Sequence, residues 1–109
     1  MKKYPLGEFE EIVLLTVGVL YDEAYGVAIK DELEKRLERK VSVGALQSAL
    51  RRMEEKGYLN SRYGETTNAR GGKRKRYFTM TAHGKAALAH AKNLRQRLWD
   101  DIPDIALDF

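Results

Sequence analysis

Five cations lie within seven positions of this 109-residue sequence, at Arg70, Lys73, Arg74, Lys75 and Arg76. Residues 41–80 carry nine Lys or Arg against three Asp or Glu, whereas residues 1–40 are slightly acidic and residues 81–109 are neutral. A confined basic region on a near-neutral body is typical of a protein with a polyanionic partner. The alternative is a solvated loop with excess charge, but fold stability gives no reason to place five mutually repelling cations together.

Residue types that support catalysis or metal binding are scarce. The chain has no Cys and only three Ser, none of which stands beside a His in a spacing typical of a nucleophile and its base. His83 and His90 are separated by roughly 10 Å along a helix, too far for one metal ion. The Gly71-Gly72-Lys73 run lacks the first glycine and the trailing Ser or Thr of a phosphate-binding loop. We therefore expect no catalytic residues, no metal, no cofactor and no enzyme activity.

A predicted helix carries a second set of polar groups. Ser42 is placed as its N-cap, and Gly57 suits the left-handed position after its end. Its apolar stripe has intervals of three, four and three residues and consists of Val43, Leu46, Leu50 and Met53.

The side of this helix opposite the stripe is suited to a DNA groove. Gly44 and Ser48 are small, so the backbone can approach the groove floor closely. Gln47 can pair with adenine, and Arg51 with guanine or a phosphate. The alternative is that Arg51 and its neighbour Arg52 pair along the helix with Glu54 and Glu55.

The surrounding sequence predicts the elements that position these groups. Apolar spacing, caps and β-branched or aromatic runs predict three helices (8–20, 25–39 and the one capped by Ser42), strands at 58–63 and 76–80, and a helix of about 20 residues between Thr81 and Pro103. This order indicates a mainly α fold with a small β-hairpin, a winged helix-turn-helix. We expect a DNA-binding domain over residues 1–80 and a dimerisation helix over residues 81–109. The third helix would enter the major groove of double-stranded DNA, and the hairpin tip, with Arg70, Gly72, Lys73, Arg74 and Lys75, would contact its backbone or minor groove.

Length and composition limit the remaining classes. The chain fits one compact domain, and 43% hydrophobic residues suffice for a core. The longest apolar run, residues 12–21, is about half of a membrane span. The absence of Cys agrees with a reducing compartment. We expect a soluble, cytoplasmic protein with no membrane partner.

Several segments together resemble the PadR family of bacterial transcription regulators. They are residues 6–10 (LGEFE), 24–29 (AYGVAI), 41–46 (VSVGAL), 52–59 (RMEEKGYL), 71–78 (GGKRKRYF) and 81–84 (TAHG). The resemblance implies a homodimer that binds a pseudo-palindromic operator, usually as a repressor released by a small molecule, with Tyr25 facing a phosphate. Many relatives have Tyr where this chain has Gln47, so a contact by that phenol cannot be carried over. The short C-terminal part is similar to the short branch of the family.

Two apolar surfaces predict self-association. A stripe on the last helix runs from small to large side chains: Gly84, Ala87, Ala91, Leu94 and Leu98. The first helix is apolar on most sides, and soluble monomers rarely expose such surfaces. We expect a two-fold dimer, although both helices could instead pack together within one chain.

A ligand site at this seam is a further expectation. Trp99, the only Trp, flanks the seam beside Leu88 and Arg95. Phe9 and Leu15 could form the walls of a cleft for a small aromatic effector. The alternative is plain packing. A different function also stays open: a winged-helix module for protein contacts or small molecules that has no specific operator.

Overall fold

The computed structural model describes residues 3–65 and 74–109. The elements follow the predicted order: α1 (Glu8–Leu20), a 3-10 turn (Tyr21–Glu23), α2 (Gly26–Leu37), α3 (Val43–Glu55), β1 (Leu59–Tyr63), β2 (Arg76–Met80), α4 (Ala82–Asp101) and a second 3-10 turn (Asp104–Leu107). This is the expected mainly α fold with one hairpin, a winged helix-turn-helix followed by a long helix.

The two ends of α3 are set by local contacts that the sequence indicated. Ser42 Oγ accepts a hydrogen bond from the Ala45 N–H at 3.2 Å. At the other end Gly57 has φ +81°, and the Tyr58 N–H donates to the Met53 carbonyl at 2.8 Å. The left-handed φ of Gly57 and the bond from Tyr58 to Met53 are those of a Schellman motif at the end of α3. Glycine adopts this left-handed conformation without a steric cost. One expected stripe residue departs from the core, because Val43 is 58% exposed at the first turn.

Helix α2 ends two residues earlier than predicted. The chain leaves the helix at Glu38, which adopts the left-handed conformation with φ 54° and ψ 40°. A non-glycine residue in this conformation costs about 1–2 kcal/mol, so the sequence carries no sign of the stop. Val41, buried after the turn, then leads the chain into α3, and its N–H donates to the Glu34 carboxylate at 2.8 Å.

The core lies between the three helices and the inner face of the hairpin. Its fully buried large side chains come from α1, α2, α3 and the start of β1: Val13, Leu14, Val17, Ile29, Leu33, Leu46, Leu50, Met53, Tyr58 and Leu59. β1 and β2 pair antiparallel, with Leu59 opposite Met80 and Tyr63 opposite Arg76. The Phe78 N–H donates to the Ala24 carbonyl at 2.8 Å, and Tyr25 bridges to Tyr77. The hairpin is thereby fixed to the start of α2.

Helix α4 is divided into a packed half and a projecting half. Gly84 and Ala87 are buried, and a Cβ added at Gly84 would collide with the Tyr58 carbonyl. The expectation that these two small residues serve a contact between copies is wrong, because the chain's own core occupies them. Leu94 and Leu98 in the second half are exposed.

Among the described residues, no helix is long and apolar enough to cross a membrane.

Candidate nucleic-acid interface

The outward face of α3 carries the polar groups that the sequence predicts for DNA contact. Gln47 and Arg51 are exposed and Ser48 is half-buried. Within residues 3–65 and 74–109, none of these three side chains makes a hydrogen bond or ion pair. A Cβ added at Gly44 would meet only Ser42 Oγ, at 3.7 Å, so the space outside this turn is open. The face can therefore offer its donors and acceptors to an external partner.

Among the residues that the structure describes, the charged side chains of α3 do not pair with one another along the helix. Arg52 contacts Glu10 on α1, with Nε 3.3 Å from Oε2. Glu54 contacts Arg76 on β2 at 2.7 Å and accepts from Ser61 at 2.6 Å. Arg76, one of the five clustered cations, is therefore used within the fold.

Glu10 holds the inner side of α3 against α1. Its carboxylate is 3.0 Å from Lys56 Nζ and also accepts from the Gly7 N–H at 2.8 Å. Burial raises the pKa of the Glu10 carboxyl, but the hydrogen bonds from Gly7, Lys56 and Arg52 together lower this pKa by more than burial raises it. The net pKa of Glu10 therefore lies below the ordinary value. An ionised Glu10 thus fixes the orientation of the α3 face described above.

Tyr25 joins the start of α2 to the root of the hairpin. Lys75 Nζ lies 4.2 Å from the Tyr25 ring centroid, and the Tyr77 ring meets Tyr25 edge-on at 5.5 Å. On the other strand Arg62 lies 4.8 Å from the Tyr77 ring. These cation–π contacts hold positive charge beside the N-terminus of α2, where free N–H groups favour anions.

One cavity brings four of the predicted residues together. It has a volume of about 270 Å³ and is lined in part by Tyr25, Gln47, Arg74 and Lys75. The start of α2, the face of α3 and the root of the hairpin therefore form one continuous surface. Ser42 is the N-cap of α3, and Gly44 lies in the first turn of this helix. Arg70, Gly72 and Lys73 lie outside the described residues.

A second concave site, here called the α1/α4 groove, lies on another part of the surface. It has a volume of about 430 Å³, and its apolar lining includes the predicted Leu15, Leu88 and Trp99. Phe9 is not part of this lining, and it packs against the core. At 100° per residue, Phe9 and Leu15 point about 120° apart on α1.

Sequence reasoning placed Arg95 beside Trp99 but missed the rest of the polar rim of this groove. The rim consists of Glu11, Lys85, Lys92, Arg95 and Gln96. Glu11 is buried and pairs with Arg95 at 2.9 Å, which joins α1 to α4. The spacing of Lys85, Lys92 and Trp99 by seven residues places them on one side of a helix and could have indicated the rim.

Residues 14–90 match the family described as the transcriptional regulator PadR-like family. The chain belongs to this family. Its fold is similar to that of a PadR-like transcription factor from Bacteroides fragilis, with 25% identity, a TM-score of 0.70 and 84% of each chain covered. A PadR family transcription regulator from Clostridium difficile R20291 has 26% identity and a TM-score of 0.66, and the match covers 84% of this chain and 92% of the C. difficile chain. A PadR-like transcriptional regulator from Bacillus cereus, at 19% identity, shares the fold with a TM-score of 0.71 and coverage of 93% and 92%. The comparison with curated proteins gave no match.

Membership in the PadR-like family decides the broad class. The protein is a DNA-binding transcription regulator with a winged helix-turn-helix fold, and it is not an enzyme. The resemblance drawn from the segments around α1, α2, α3 and the hairpin is confirmed.

The two histidines of this PadR-like protein are surface residues. His83 and His90 are exposed and flank the Tyr4 ring, with centroid distances of 5.5 and 5.4 Å. In the part of the chain that the structure describes, no three His, Cys, Asp or Glu side chains are grouped as a metal site.

Proposed function

We propose that this PadR-like protein is a homodimeric repressor that binds a pseudo-palindromic operator. The observation that carries the proposal is the continuous surface made by the unpaired face of α3, Tyr25 and the basic root of the hairpin. A two-fold dimer presents two such surfaces, and two α3 helices in successive major grooves require half-sites about 34–36 Å apart.

Each residue of the surface has a distinct role in this proposal. Gln47 reads adenine, and Arg51 reads guanine or neutralises a phosphate. The outward side chains in the first turns of α3 are small, at Ser42, Gly44 and Ser48. The helix backbone can therefore approach the base edges. Small side chains and an exposed helix N-terminus support this role.

The remaining contacts go to the DNA backbone. Tyr25 faces a phosphate at the start of α2. The hairpin residues Arg70, Gly72, Lys73, Arg74 and Lys75 follow the backbone or enter the minor groove, where a narrow groove concentrates negative potential.

Dimerisation is assigned to residues 81–109, and DNA binding to residues 1–80. The projecting half of α4 exposes Leu94, Leu98 and Trp99, and the neighbouring α1 exposes Leu15 and Val19. Apolar side chains grouped on adjacent helices support a contact with a second copy.

A small, flat aromatic compound is proposed as the effector, bound in the α1/α4 groove against Trp99, Leu88 and Leu15. The apolar floor of the groove supports this choice of ligand. Because Trp99 is the only Trp, its fluorescence reports binding directly. No quenching across a diverse aromatic panel would contradict the effector proposal and leave plain packing as the role of Trp99.

The decisive experiment is binding to a labelled DNA fragment from upstream of the protein's own coding sequence, titrated with salt and nonspecific competitor. We expect dimer stoichiometry, resistance to competitor and a log–log salt slope of about −0.9 per neutralised phosphate. Arg74→Glu with Lys75→Glu should abolish binding while the circular dichroism spectrum is kept. The matched control, Lys35→Glu with Arg39→Glu, makes the same charge change at exposed positions that lie outside both the interface cavity and the helix assigned to dimerisation. Equal loss in both variants, or no loss in the first, would favour a module for protein or small-molecule contacts without an operator.

A further inference from the structure

Three polar side chains form a closed ring between α3 and the two strands of the hairpin. Arg76 Nη2 lies 2.7 Å from Glu54 Oε1, and Arg76 Nε donates to Ser61 Oγ at 3.0 Å. The Ser61 hydroxyl donates in turn to Glu54 Oε2 at 2.6 Å. We propose that this ring, here called the polar triad, holds the hairpin at a fixed position relative to the outward face of α3. Glu54 is thereby a positioning residue for DNA binding, and the proposal rests on the DNA surface proposed above.

The polar triad lies beside the residues that the proposed function assigns to base reading. Gln47, Arg51 and Glu54 are spaced by four and three residues along α3, which places them on one side of the helix. Together with Arg76 they line a cavity of about 140 Å³. The cavity of about 270 Å³ described above shares Gln47 and Arg76 with it and continues to the two cations that precede Arg76 in the chain. The triad therefore stands between the reading face of α3 and the cations of the hairpin.

The other contacts of the hairpin leave one motion open, which the triad restricts. Strand β2 is bonded at one edge to β1 and at the other to the segment before α2, where the Phe78 N–H donates to the Ala24 carbonyl at 2.8 Å. Bonds along strand edges allow the two strands to tilt about those edges, and a two-stranded hairpin alone is only marginally stable. Arg76 pairs with Tyr63 at the end of the ladder nearest the tip. A bond from Arg76 to α3 therefore limits the tilt where it would move the tip most.

The charge of Glu54 supports a role within the fold over a direct contact with DNA. A carboxylate near the phosphates is repelled by them, so it lowers affinity unless a cation neutralises it. Both oxygens of Glu54 already accept bonds, one from Arg76 and one from Ser61. A guanidinium is planar and can bond two partners at once, whereas a lysine ammonium lacks this fork. Arg76 therefore both orients the hairpin and neutralises the carboxylate to which it is bonded.

Glu54→Gln separates positioning from charge, because the two effects have opposite signs. Loss of a carboxylate near DNA strengthens binding by removing repulsion, whereas a tilted hairpin loses phosphate contacts and weakens binding. Each lost contact makes the log–log salt slope shallower by about 0.9, which corresponds to a loss of about fivefold in affinity at about 0.15 M salt relative to 1 M. We expect this loss and this change of slope for Glu54→Gln. The matched control, Glu55→Gln, removes an exposed carboxylate from the next position of α3 and should bind at least as tightly as the natural protein.

Ser61→Ala tests the triad without any change of charge. It removes two of the three bonds of the ring and leaves the ion pair between Glu54 and Arg76. We expect affinity and salt slope to change in the same direction as in Glu54→Gln, but by less, because the ion pair remains. Asn60→Ala is the matched control, since Asn60 is an exposed neighbour on the opposite face of β1 and should leave DNA binding unchanged. This pair of variants decides the question if Glu54→Gln does not fold.

Binding to the labelled operator is measured by fluorescence anisotropy over a range of salt concentrations, with circular dichroism as the check of folding. Glu54→Gln that binds as tightly as Glu55→Gln overturns the proposal. A loss with an unchanged salt slope also overturns it, because Glu54 would then accept a bond from a cytosine amino group. A lower melting temperature with unchanged affinity and slope would leave the triad a role in stability alone. If the natural protein binds operator and unrelated DNA equally, the repressor function is refuted, and the salt slopes on unrelated DNA still test the triad.

Discussion

Replacing Gly44 by Ala should raise stability and weaken DNA binding at the same time. Gly44 is the second residue of α3, with an ordinary helical conformation and open space beyond it. Within a helix, Gly is less favourable than Ala by up to about 1 kcal/mol. Near the helix end we expect about half of that, which for a domain of this size raises the melting temperature by roughly 2–4 °C.

The effect on DNA has the opposite sign. The new methyl group would stand on the face that the proposal presses against the groove, where Gln47 and Arg51 must reach the base edges. Overpacking one methyl group costs about 1–3 kcal/mol. We therefore expect affinity for the operator to fall by a factor of about 5 to 140, at about 1.4 kcal/mol per tenfold change.

The assay pairs thermal unfolding with operator binding at one salt concentration. Gly18→Ala is the control, because Gly18 is an exposed helical glycine on α1 whose added Cβ would meet only the flexible end of Met80, at 3.0 Å. The control should leave operator affinity unchanged. If Gly44→Ala were stabilised and bound DNA like the natural protein, the first turns of α3 would not approach the groove. If Gly44→Ala were less stable than the natural protein, the space beside Gly44 would not be open enough for a methyl group.

Three further predictions concern Gln47, Gly84 and Glu10. Gln47→Ala should weaken binding to the operator by about 1–3 kcal/mol but leave nonspecific DNA binding and its salt slope unchanged, and an equal loss on both DNAs would contradict base reading. Gly84→Ala should lower the free energy of unfolding by about 1–3 kcal/mol in urea, because its methyl group meets the Tyr58 carbonyl; unchanged stability would refute that close approach. Glu10 has a lowered pKa, so the stability it contributes is present above its unfolded pKa, near 4.5, and is lost as pH falls through the folded pKa. Glu10→Gln should accordingly reduce stability at pH 7 and flatten the decrease below pH 4.5, and an unchanged acid profile would show that Glu10 does not anchor α3.

Local chemistry made most of the fold predictable. Ser42, Gly57 and Thr81 are capping residues whose effect depends on their immediate neighbours, so α3 and the start of α4 were predicted within one residue. The end of α2 was not, because Glu38 adopts a left-handed conformation that its residue type does not favour. The cluster of cations and the polar face of α3 were visible because charge and helical spacing are properties of the sequence.

The partners of apolar surfaces were not predictable from spacing. The stripe on α4 has one period, but its Gly84 end lies in the chain's own core and its Leu98 end lies in solvent. Helix α1 is apolar on most sides, so the sequence could not decide that Leu15 faces the groove while Phe9 faces the core. Periodicity states which side chains share a face, but only the tertiary packing states what that face contacts.

Thr81 joins the hairpin of this small regulator to its last helix. Its hydroxyl donates to the Gly57 carbonyl at 2.6 Å and accepts from the Gly84 N–H at 3.0 Å, and its own N–H donates to the Tyr58 carbonyl at 3.0 Å. One residue therefore connects the segment between α3 and β1 to the first turn of α4. Because β2 leads into α4 through this residue alone, no flexible linker separates the hairpin from the helix that carries the groove. A ligand or partner that shifts α4 would consequently also shift the end of α3 and the open end of the hairpin, where Leu59 pairs with Met80. Helix α3 and the hairpin are the two elements that the proposed operator contact requires.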